Sequence, residues 1–458
     1  MTVAGRGNLT GRLLTIKSET RETSEAEGKA VSFDNGIGKV FADLKIGADI
    51  LGSRPLLSNS DLGYMGVIPV NMGFVITKEQ AQLFGYEVAD LPQVIKKYMN
   101  GSNLTSGRRD RLIIDFFQHT QDEAKTSHPR LYQLLLDEVK PFRDQVRRQG
   151  HREKWWLFGE QRHGMRLALS ALPRYVATIE TSKHRTFSFM ENDILPDQKL
   201  RVVALADGWP LSVLSSKFHT MFSDAAGGRL GVGNDPVYNG TRCFDPFPFP
   251  DLTDAQKATL CTLGEDLDAH RKRQQVAHPK LTLTQMYNVL EKLRAGEVIE
   301  GKDKEIYDQG LIGILRDLHH RIDAVVADAY GWPVDLSDED ILLRLVALNK
   351  ERAEEEARGH IRWLRPEYQN PTGQQATKGK TSDMDLGVVA KIEKSPWPKT
   401  MPEQIAAVRE ALYDMGEATP AEVARRFVRA RAGTVEPLME SLAALGQAER
   451  GEDGRYAA

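Results

Sequence analysis

The chain contains little of what would mark a secreted, metal-bound or membrane protein. Its 458 residues include only two cysteines, Cys243 and Cys261, without metal-ligand spacing and without a histidine cluster near them. We therefore expect neither a disulfide framework nor a zinc site, and we expect a reducing compartment. The sequence has no run of about 18 apolar residues, and its first residues lack the apolar core of a signal peptide. These absences predict a cytoplasmic protein.

The sequence also lacks the motifs of methyl transfer. An amino-methyltransferase needs a glycine-rich loop for S-adenosylmethionine and an Asn/Asp-Pro-Pro-Tyr/Phe loop that holds a flipped base. The segments Asn234-Asp235-Pro236 and Asn370-Pro371-Thr372 both fail to match that loop. No nuclease pattern is present, and histidines such as His319 and His320 fall in helix-like segments, where core or surface roles outweigh catalysis. The sequence therefore predicts no catalytic, cofactor-binding or metal-binding residues in this chain.

Positive charge is concentrated in one segment. The whole chain has a net charge of -3, which excludes a uniformly basic nucleic-acid coat protein. Residues 140–185, however, hold eleven lysines and arginines against four acidic residues, interleaved with aromatic side chains. Such a segment is typical of a face that neutralises DNA phosphates. The alternative is a solvated helix face with buried tryptophans, and charge alone does not decide between them.

A Gly-x-Gly sequence lies within Leu230–Pro236. This spacing is compatible with a nucleotide-binding loop, but no third glycine and no helix follow it, and a proline comes almost at once. The pattern therefore favours a turn or a loop that brings the backbone close to DNA.

Periodicity predicts a mixed α and β region up to residue 250. Residues 1–60 are polar and glycine-rich, which indicates loops and short strands. A helix is expected over Pro129–Arg148 and another from about Leu211. Strand-like runs occur at Gly66–Thr77, Arg111–Phe117, Arg174–Glu180, Thr186–Met190 and Leu200–Ala206. The aromatic and proline run Phe244–Pro250 can continue neither element and marks a boundary.

The rest of the chain reads as helical, with a linker and a small C-terminal domain. Helices are predicted over Thr253–Ala277, Leu283–Ala295, Glu305–Tyr330 and Asp338–Arg358. A linker rich in Gly, Pro, Lys, Thr and Ser covers residues 366–398. Three further helices (Pro402–Met415, one starting at the capping box Thr419–Glu422, and Thr434–Leu445) precede a hairpin over Gln447–Ala458, which is the winged-helix pattern.

The predicted fold class is α+β: a mixed α/β recognition domain, a helical spacer and a C-terminal winged helix. The expected domains are residues 1–130 (N-terminal part of the recognition region), 131–250 (recognition core), 251–365 (spacer), 366–398 (linker) and 399–458 (winged helix).

Several motifs, in the same order, resemble those of one enzyme family. The first group is KWWLFGE (Lys154–Glu160), LPRY (172–175), SKHR (182–185), SKFH (216–219), LGVGNDPVY (Leu230–Tyr238) and FDPFPFP (Phe244–Pro250). The second group is TQMYN (284–288), YGWP (330–333), LNKER (348–352) and WPK (397–399). Over residues 60–458 the chain is similar to the target-recognition and C-terminal half of type IIL restriction–modification enzymes. It resembles equally the nuclease-free adenine methyltransferases found beside phage-defence genes.

This resemblance implies a DNA-recognition role. In the family a methyltransferase domain, which binds S-adenosylmethionine, precedes the point at which this sequence starts. We therefore expect either a separate catalytic polypeptide or a fragment of a once longer gene, with double-stranded DNA, a methyltransferase subunit or domain, and other defence-system proteins as candidate partners. Within the recognition domain, Thr181-Ser182, Thr220–Gly228 and Asn239–Arg242 depart from the family pattern, and we expect base specificity to differ there.

The resemblance also suggests which side chains contact DNA. The residues predicted to contact phosphates are Arg147, Arg148, Lys183, His184, Arg185 and Lys217. The residues predicted to read base edges are Arg229, Asn234, Asp235, Tyr238 and Arg242, since arginine pairs with guanine and asparagine with adenine.

Three functions remain open at this point: a specificity subunit that directs a partner methyltransferase, a stand-alone winged-helix DNA-binding regulator, and a non-functional remnant of a split gene. Residues 401–458 contain seven arginines and ten acidic residues. The helix expected to enter DNA offers Glu436 and Glu440, which suits contact with protein better than contact with phosphates.

Overall fold

The protein divides into two compact units, residues 1–378 and 379–458. The computed structural model describes residues 11–19, 31–38, 47–108, 110–230, 235–373, 395–398, 400–415, 417–424, 426–428, 430–444, 448–450 and 456–457. In the described part no helix is long and apolar enough to cross a membrane.

Two four-stranded sheets form the centre of the first unit. Its strands are β1 (Gly11–Glu19), β2 (Val31–Gly38), β3 (Gly63–Met65), β4 (Val75–Thr77), β5 (Ile95–Met99), β6 (Arg111–Ile114), β7 (Arg174–Ile179), β8 (Phe187–Glu191), β9 (Ile194–Pro196), β10 (Leu200–Val203), β11 (Arg229–Leu230) and β12 (Asp235–Pro236). One sheet has the order β3-β10-β7-β8 and is antiparallel throughout; the other has the order β4-β6-β5-β9, with β5 and β9 parallel. The pairs β1-β2 and β11-β12 form antiparallel hairpins.

Both sheets combine strands from before and after residue 130, so they share one hydrophobic core. Strands β8, β9 and β10 follow one another in the chain, yet β9 lies in the second sheet while its neighbours lie in the first. In β7 and β8 successive residues are buried on both faces, and these include the polar Thr178 and Ser188.

Helices cover the sheets and form the later part of the first unit. They are α1 (Lys78–Leu83), α2 (Gly101–Ser106), α3 (Gln121–Ser127), α4 (Pro129–Glu138), α5 (Lys140–Arg143), α6 (Gln149–Glu153), α7 (His163–Leu169), α8 (Gly208–Ser215), α9 (Lys217–Ala226), α10 (Asp254–Ala277), α11 (Leu283–Arg294), α12 (Gly301–Gly310), α13 (Ile312–Tyr330), α14 (Asp338–Ala357) and α15 (Pro366–Gln369). The predicted start of α14 is confirmed, since the Ser337 hydroxyl accepts a hydrogen bond from the Asp340 amide at 3.1 Å.

Three elements that were predicted to be continuous are interrupted in the structure. The helix expected over Pro129–Arg148 breaks after Glu138, because Pro141 has no amide hydrogen and cannot stand inside a longer helix. The helix expected over Glu305–Tyr330 is two helices joined at Leu311, which has a left-handed φ of 46°. The strand expected over Gly66–Thr77 is interrupted: Val67 and Ile68 form isolated bridges, and a 3-10 turn over Met72–Phe74 separates them from β4.

The end of the helical region contacts residues 57–60, in the predicted recognition region. The Glu356 carboxylate accepts the backbone amides of Leu57 and Ser58 at 2.7 and 2.9 Å. The Gln369 side chain donates to the Ser58 and Ser60 carbonyls at 3.0 and 2.8 Å. The first residues of the predicted linker, including α15, are therefore bound to the recognition region, and residues 374–394 of it lie outside the described residues.

The second unit has the predicted winged-helix elements. They are β13 (Ser395–Pro396), α16 (Met401–Met415), β14 (Glu417–Ala418), α17 (Pro420–Ala424), β15 (Phe427–Val428), α18 (Ala432–Ala444), β16 (Glu449–Arg450) and β17 (Tyr456–Ala457). The Thr419–Glu422 capping box is formed, with the threonine hydroxyl accepting the Glu422 amide at 3.3 Å. Strands β14, β17 and β16 form a small antiparallel sheet. Together with the first unit, this architecture confirms the predicted α+β class.

Candidate nucleic-acid interface

The hairpin of β11 and β12, continued to Tyr238, is tied to the end of β7; we call residues 229–230 and 235–238 the reading hairpin. The Tyr238 amide donates to the Glu180 carbonyl at 2.7 Å, and the Ser182 amide donates to the Pro236 carbonyl at 3.3 Å. Thr181 and Val237 form an antiparallel bridge between them. The hairpin is therefore an extension of the first sheet, and its backbone is fixed from one side.

The three segments that depart from the family pattern meet at this hairpin. Thr181 and Ser182 pair with it directly. Gly227, at the end of the second segment, lies so close that an added Cβ would be 2.3 Å from the Val237 carbonyl oxygen. In the third segment the Asn239 side chain accepts the Thr241 amide at 3.0 Å and holds the single π-helical turn Gly240–Phe244. Segments that are about 60 residues apart in the chain thus share one surface.

Cationic side chains run from the reading hairpin along the end of the first sheet. Arg201, in β10, donates to the Tyr238 carbonyl at 3.2 Å. Arg201 also pairs with the Glu180 carboxylate, which Lys199 contacts at 2.9 Å. In the same sheet Arg201 lies opposite Met65 of β3.

The row of cations continues beyond β3. The Arg162 guanidinium contacts the Met65 sulfur at 3.2 Å and the Glu160 carboxylate at 3.9 Å. Glu160 is in turn 3.8 Å from Arg148, whose side chain is 64% exposed. We call Arg148, Arg162 and Lys199 the basic ridge. Arg201 is not part of it, since only 12% of its side chain is exposed and Glu180 and the Tyr238 carbonyl hold its guanidinium. The sequence analysis did not predict a role for Arg162, Lys199 or Arg201. Lys199 and Arg201 could have been found, because residues two apart in a strand lie on the same face of the sheet.

The predicted phosphate contacts fall into separate environments. Arg147 and Arg148 are exposed, and among the described residues the Arg147 side chain has no partner. Lys183 and His184 instead contact α11: Lys183 reaches Glu291 at 2.8 Å, and His184 lies 2.8 Å from the Asn288 amide oxygen. Because the Lys183–Glu291 pair is exposed it contributes at most about 1 kcal/mol, so a phosphate can compete for the lysine.

Lys217 lies apart from the ridge contacts described above. Its ammonium donates to the Val334 carbonyl at 2.6 Å, and it remains half-buried. A phosphate contact at Lys217, like those at Arg147, Arg148, Lys183 and His184, stays a prediction.

Arg185 corrects the sequence prediction. Its side chain is buried, and its guanidinium donates to the Thr178 hydroxyl at 3.2 Å, to the Pro236 carbonyl at 3.1 Å and to the Ile179 carbonyl. Burial lowers the pKa of this guanidinium from its ordinary value. A group enclosed by backbone carbonyls presents no surface to DNA, so the predicted phosphate contact of Arg185 is contradicted.

Tyr238 is a second correction. Only 1% of it is exposed, and its hydroxyl lies 2.9 Å from His219 Nε2. Burial lowers the pKa of His219 to about 3, so the imidazole is neutral at physiological pH. The Tyr238 ring packs against Phe187 in the core. It therefore cannot read a base edge without unfolding the hairpin that contains it.

The remaining predicted base-reading residues surround the reading hairpin. Arg229 and Arg242 are exposed, and Asp235 is half-buried. Asn234 lies outside the described residues. Their base contacts stay predictions: Arg229 and Asp235 belong to the hairpin itself, and Arg242 lies in the turn that follows it.

Most of the other cations in residues 140–185 serve the fold. Arg143 is fully buried and donates to the carbonyls of Pro69 and Leu157. Arg166 pairs with the buried Asp115 at 2.7 Å. Trp155 and Trp156 are both buried. For these residues the alternative of packing and internal pairing is correct, whereas Arg147, Arg148, Lys154 and Lys183 of the same segment remain exposed.

Among the described residues, no group of three or more His, Cys, Asp or Glu side chains is placed to hold a metal ion. Cys243 and Cys261 are both free thiols. Burial raises the pKa of Cys243 to about 11, which keeps its sulfur protonated.

Comparison with known proteins gives a consistent result. Residues 53–251 match the family model described as "MmeI, target recognition domain". The solved structure of the type IIL restriction–modification enzyme MmeI in complex with DNA matches with a TM-score of 0.53 at 15% sequence identity, over 75% of this chain and 46% of that chain. No curated protein sequence matches.

This structural match shows a shared fold, and the chain spans less than half the length of that enzyme. The matched segment contains both central sheets, the basic ridge and the reading hairpin. The match of residues 53–251 to the model of the MmeI target recognition domain confirms the resemblance predicted from the sequence.

Proposed function

We propose that this chain provides DNA sequence recognition for an MmeI-like N6-adenine DNA methyltransferase of a restriction–modification or phage-defence system. The observation that carries the proposal is the match of residues 53–251 to the MmeI target recognition domain. The basic ridge and the reading hairpin lie within that segment. A fold, by itself, does not define function, so the side chains of this surface are what make the proposal testable.

In the proposed complex the two parts of the surface have different tasks. The basic ridge and Arg147 contact phosphates, which supplies affinity and register without sequence information. Arg229, Asp235 and Arg242 face base edges in the major groove, where each base pair presents a distinct set of donors and acceptors. The spacer, residues 251–365, supports this surface, because Asn288 and Glu291 of α11 hold His184 and Lys183.

Methyl transfer is proposed to come from a separate domain or subunit that binds S-adenosylmethionine. The sequence has no Asn/Asp-Pro-Pro-Tyr/Phe loop to hold a flipped adenine. Without that loop and a cofactor loop, the reacting groups cannot be aligned, and alignment supplies much of such a rate.

The test is a methylation assay with purified components. The chain alone should neither bind S-adenosylmethionine in calorimetry nor transfer a tritiated methyl group to DNA. Combined with a methyltransferase subunit that contains the missing loop, it should direct methylation to adenine in one sequence. An Arg229→Ala, Arg242→Ala variant should reduce that sequence preference, and a variant of two exposed cations of α12, Lys302→Ala with Lys304→Ala, is the matched control. Methyl transfer by the isolated chain would contradict the proposal.

The runner-up function, a stand-alone winged-helix regulator, has less support. Helix α18, which occupies the recognition-helix position of a winged helix, contains no lysine or arginine. Its exposed face includes Glu436 and Glu440, which repel phosphates. This unit is better suited to contact another protein.

A further inference from the structure

Arg185 joins two backbone segments, at Ile179 and at Pro236, that are 57 residues apart in the chain. On one side its guanidinium binds the Thr178 hydroxyl and the Ile179 carbonyl at the end of β7. On the other side it binds the Pro236 carbonyl in the reading hairpin, at 3.1 Å, and its cation lies 5.1 Å from the Tyr238 ring. The side chain thus fills the space between the sheet and the hairpin.

A buried cation in this position is costly unless its hydrogen bonds are made, so the native geometry is narrowly defined. The guanidinium is planar, and its donors have a fixed fork geometry. When the two ends of that fork bind Ile179 and Pro236, the distance between the sheet and the hairpin is set. A lysine ammonium in the same place is a single point of charge on a flexible stem, and it cannot bridge both carbonyls in one orientation.

The hairpin is also held from its other side. The Tyr238 hydroxyl meets His219 of α9, and the imidazole, neutral because of burial, also packs against the Phe247 ring at 4.4 Å between ring centroids. The Tyr238 backbone amide is bound to Glu180. Arg185 and Tyr238 therefore form a buried clamp beneath the exposed side chains of the hairpin.

We propose that Arg185 is a positioning residue for DNA sequence discrimination: it holds the reading hairpin so that Arg229, Asp235 and Arg242 meet base edges, without touching DNA itself. The inference rests on the proposed function, because it requires that the hairpin reads DNA. A positioning residue and a phosphate contact differ in a measurable way. Loss of a phosphate contact weakens binding to every sequence and reduces its salt dependence, whereas a displaced hairpin loses discrimination only.

The experiment starts with selection from a randomised duplex library by the full wild-type chain together with its methyltransferase partner. Dissociation constants are then measured for the selected duplex, its single-base-pair variants and an unrelated duplex, at several salt concentrations. Arg185→Lys should reduce discrimination about tenfold while affinity for the unrelated duplex and its salt dependence stay at wild-type values. Arg143→Lys is the matched control, since Arg143 is also a buried arginine bound to two carbonyls, those of Pro69 and Leu157, and discrimination should not change.

Hydrogen exchange provides a readout that does not involve DNA. The Val237 and Tyr238 amides, which bind the Gly228 and Glu180 carbonyls, should exchange faster in Arg185→Lys than in wild type or in Arg143→Lys. Should Arg185→Lys fail to fold, Tyr238→Phe removes only the bond to His219 and should show a smaller effect of the same kind.

Each outcome has a distinct meaning. Wild-type discrimination in a folded Arg185→Lys protein overturns the inference, and so does a uniform loss of affinity with a shallower salt dependence, which would make Arg185 a phosphate contact. If the wild-type complex enriches no sequence, the proposed function fails, and the exchange rates of Val237 and Tyr238 still decide whether Arg185 anchors the hairpin.

Discussion

Replacing Arg147 and Arg148 by alanine tests whether the exposed end of the basic segment binds DNA phosphates. Arg147 is exposed, and the Arg148 side chain is 64% exposed with only a distant contact to Glu160, at 3.8 Å. Neither change therefore removes a buried contact, and Glu160 keeps its interaction with Arg162. The folded structure should be retained, so that an effect on binding reports the DNA contact.

The size of the effect follows from counterion release. Each phosphate contact contributes a slope of about -0.9 to the dependence of log affinity on log salt concentration. Loss of two contacts should therefore reduce the slope by about 1.8 and should weaken binding at 0.1 M salt by about 60-fold relative to a 1 M reference. The loss should be the same for all sequences, because phosphates carry no base information.

Fluorescence anisotropy titrations of one duplex between about 0.05 and 0.3 M salt measure this slope. The control is Lys302→Ala with Lys304→Ala, which removes the same net charge from exposed positions of α12. A wild-type slope in the Arg147→Ala, Arg148→Ala protein would refute the phosphate assignment. An equal change in the control would show that the effect comes from net charge and not from contacts.

Three further predictions concern stability and domain roles. Gly208→Ala should lower the free energy of unfolding in urea by about 1–3 kcal/mol, because the added Cβ would lie 2.2 Å from the Cys261 carbonyl oxygen where α8 crosses α10. The control is Gly150→Ala, whose added Cβ would have no neighbour within 4 Å. Equal stabilities of the two variants would contradict the close crossing. Burial and the neighbouring Asp61 raise the pKa of Asp245 to about 6, above its unfolded value of about 4. The folded protein therefore loses stability as the pH rises from about 4 to about 6, and this group causes no further loss above that pH. Asp245→Asn should remove that loss and add about 2 kcal/mol to the free energy of unfolding at pH 7. The control Asp266→Asn changes an exposed residue and should leave this free energy unchanged. If the stability of Asp245→Asn depended on pH as that of the wild type does, the prediction would be wrong. Removal of the second compact unit should leave the affinity for duplex DNA within a few-fold of the wild-type value and should weaken assembly with the catalytic partner. A hundredfold loss of DNA affinity in a mobility-shift titration would show instead that the winged helix itself binds DNA.

The local sequence determined where many elements begin and which class of fold they build. The Ser337 cap and the Thr419 capping box lie within four residues of the groups they bind, so their effect is readable without tertiary structure. The strand-like segments at β7 and β8 were also predicted from local sequence. The motifs from Lys154 to Pro250 carried the resemblance, and the family match over residues 53–251 confirms it.

Only the tertiary structure decided which cations and aromatic groups remain at the surface. Arg185 and Arg148 look alike in the sequence, yet one is enclosed by the Ile179 and Pro236 carbonyls and the other is open to solvent. Tyr238 lies in the core, where its ring packs against Phe187 and its hydroxyl contacts His219. Whether a charged or polar side chain can reach DNA depends on desolvation by partners far away in the chain. Residue type and spacing record neither those partners nor the burial that they impose.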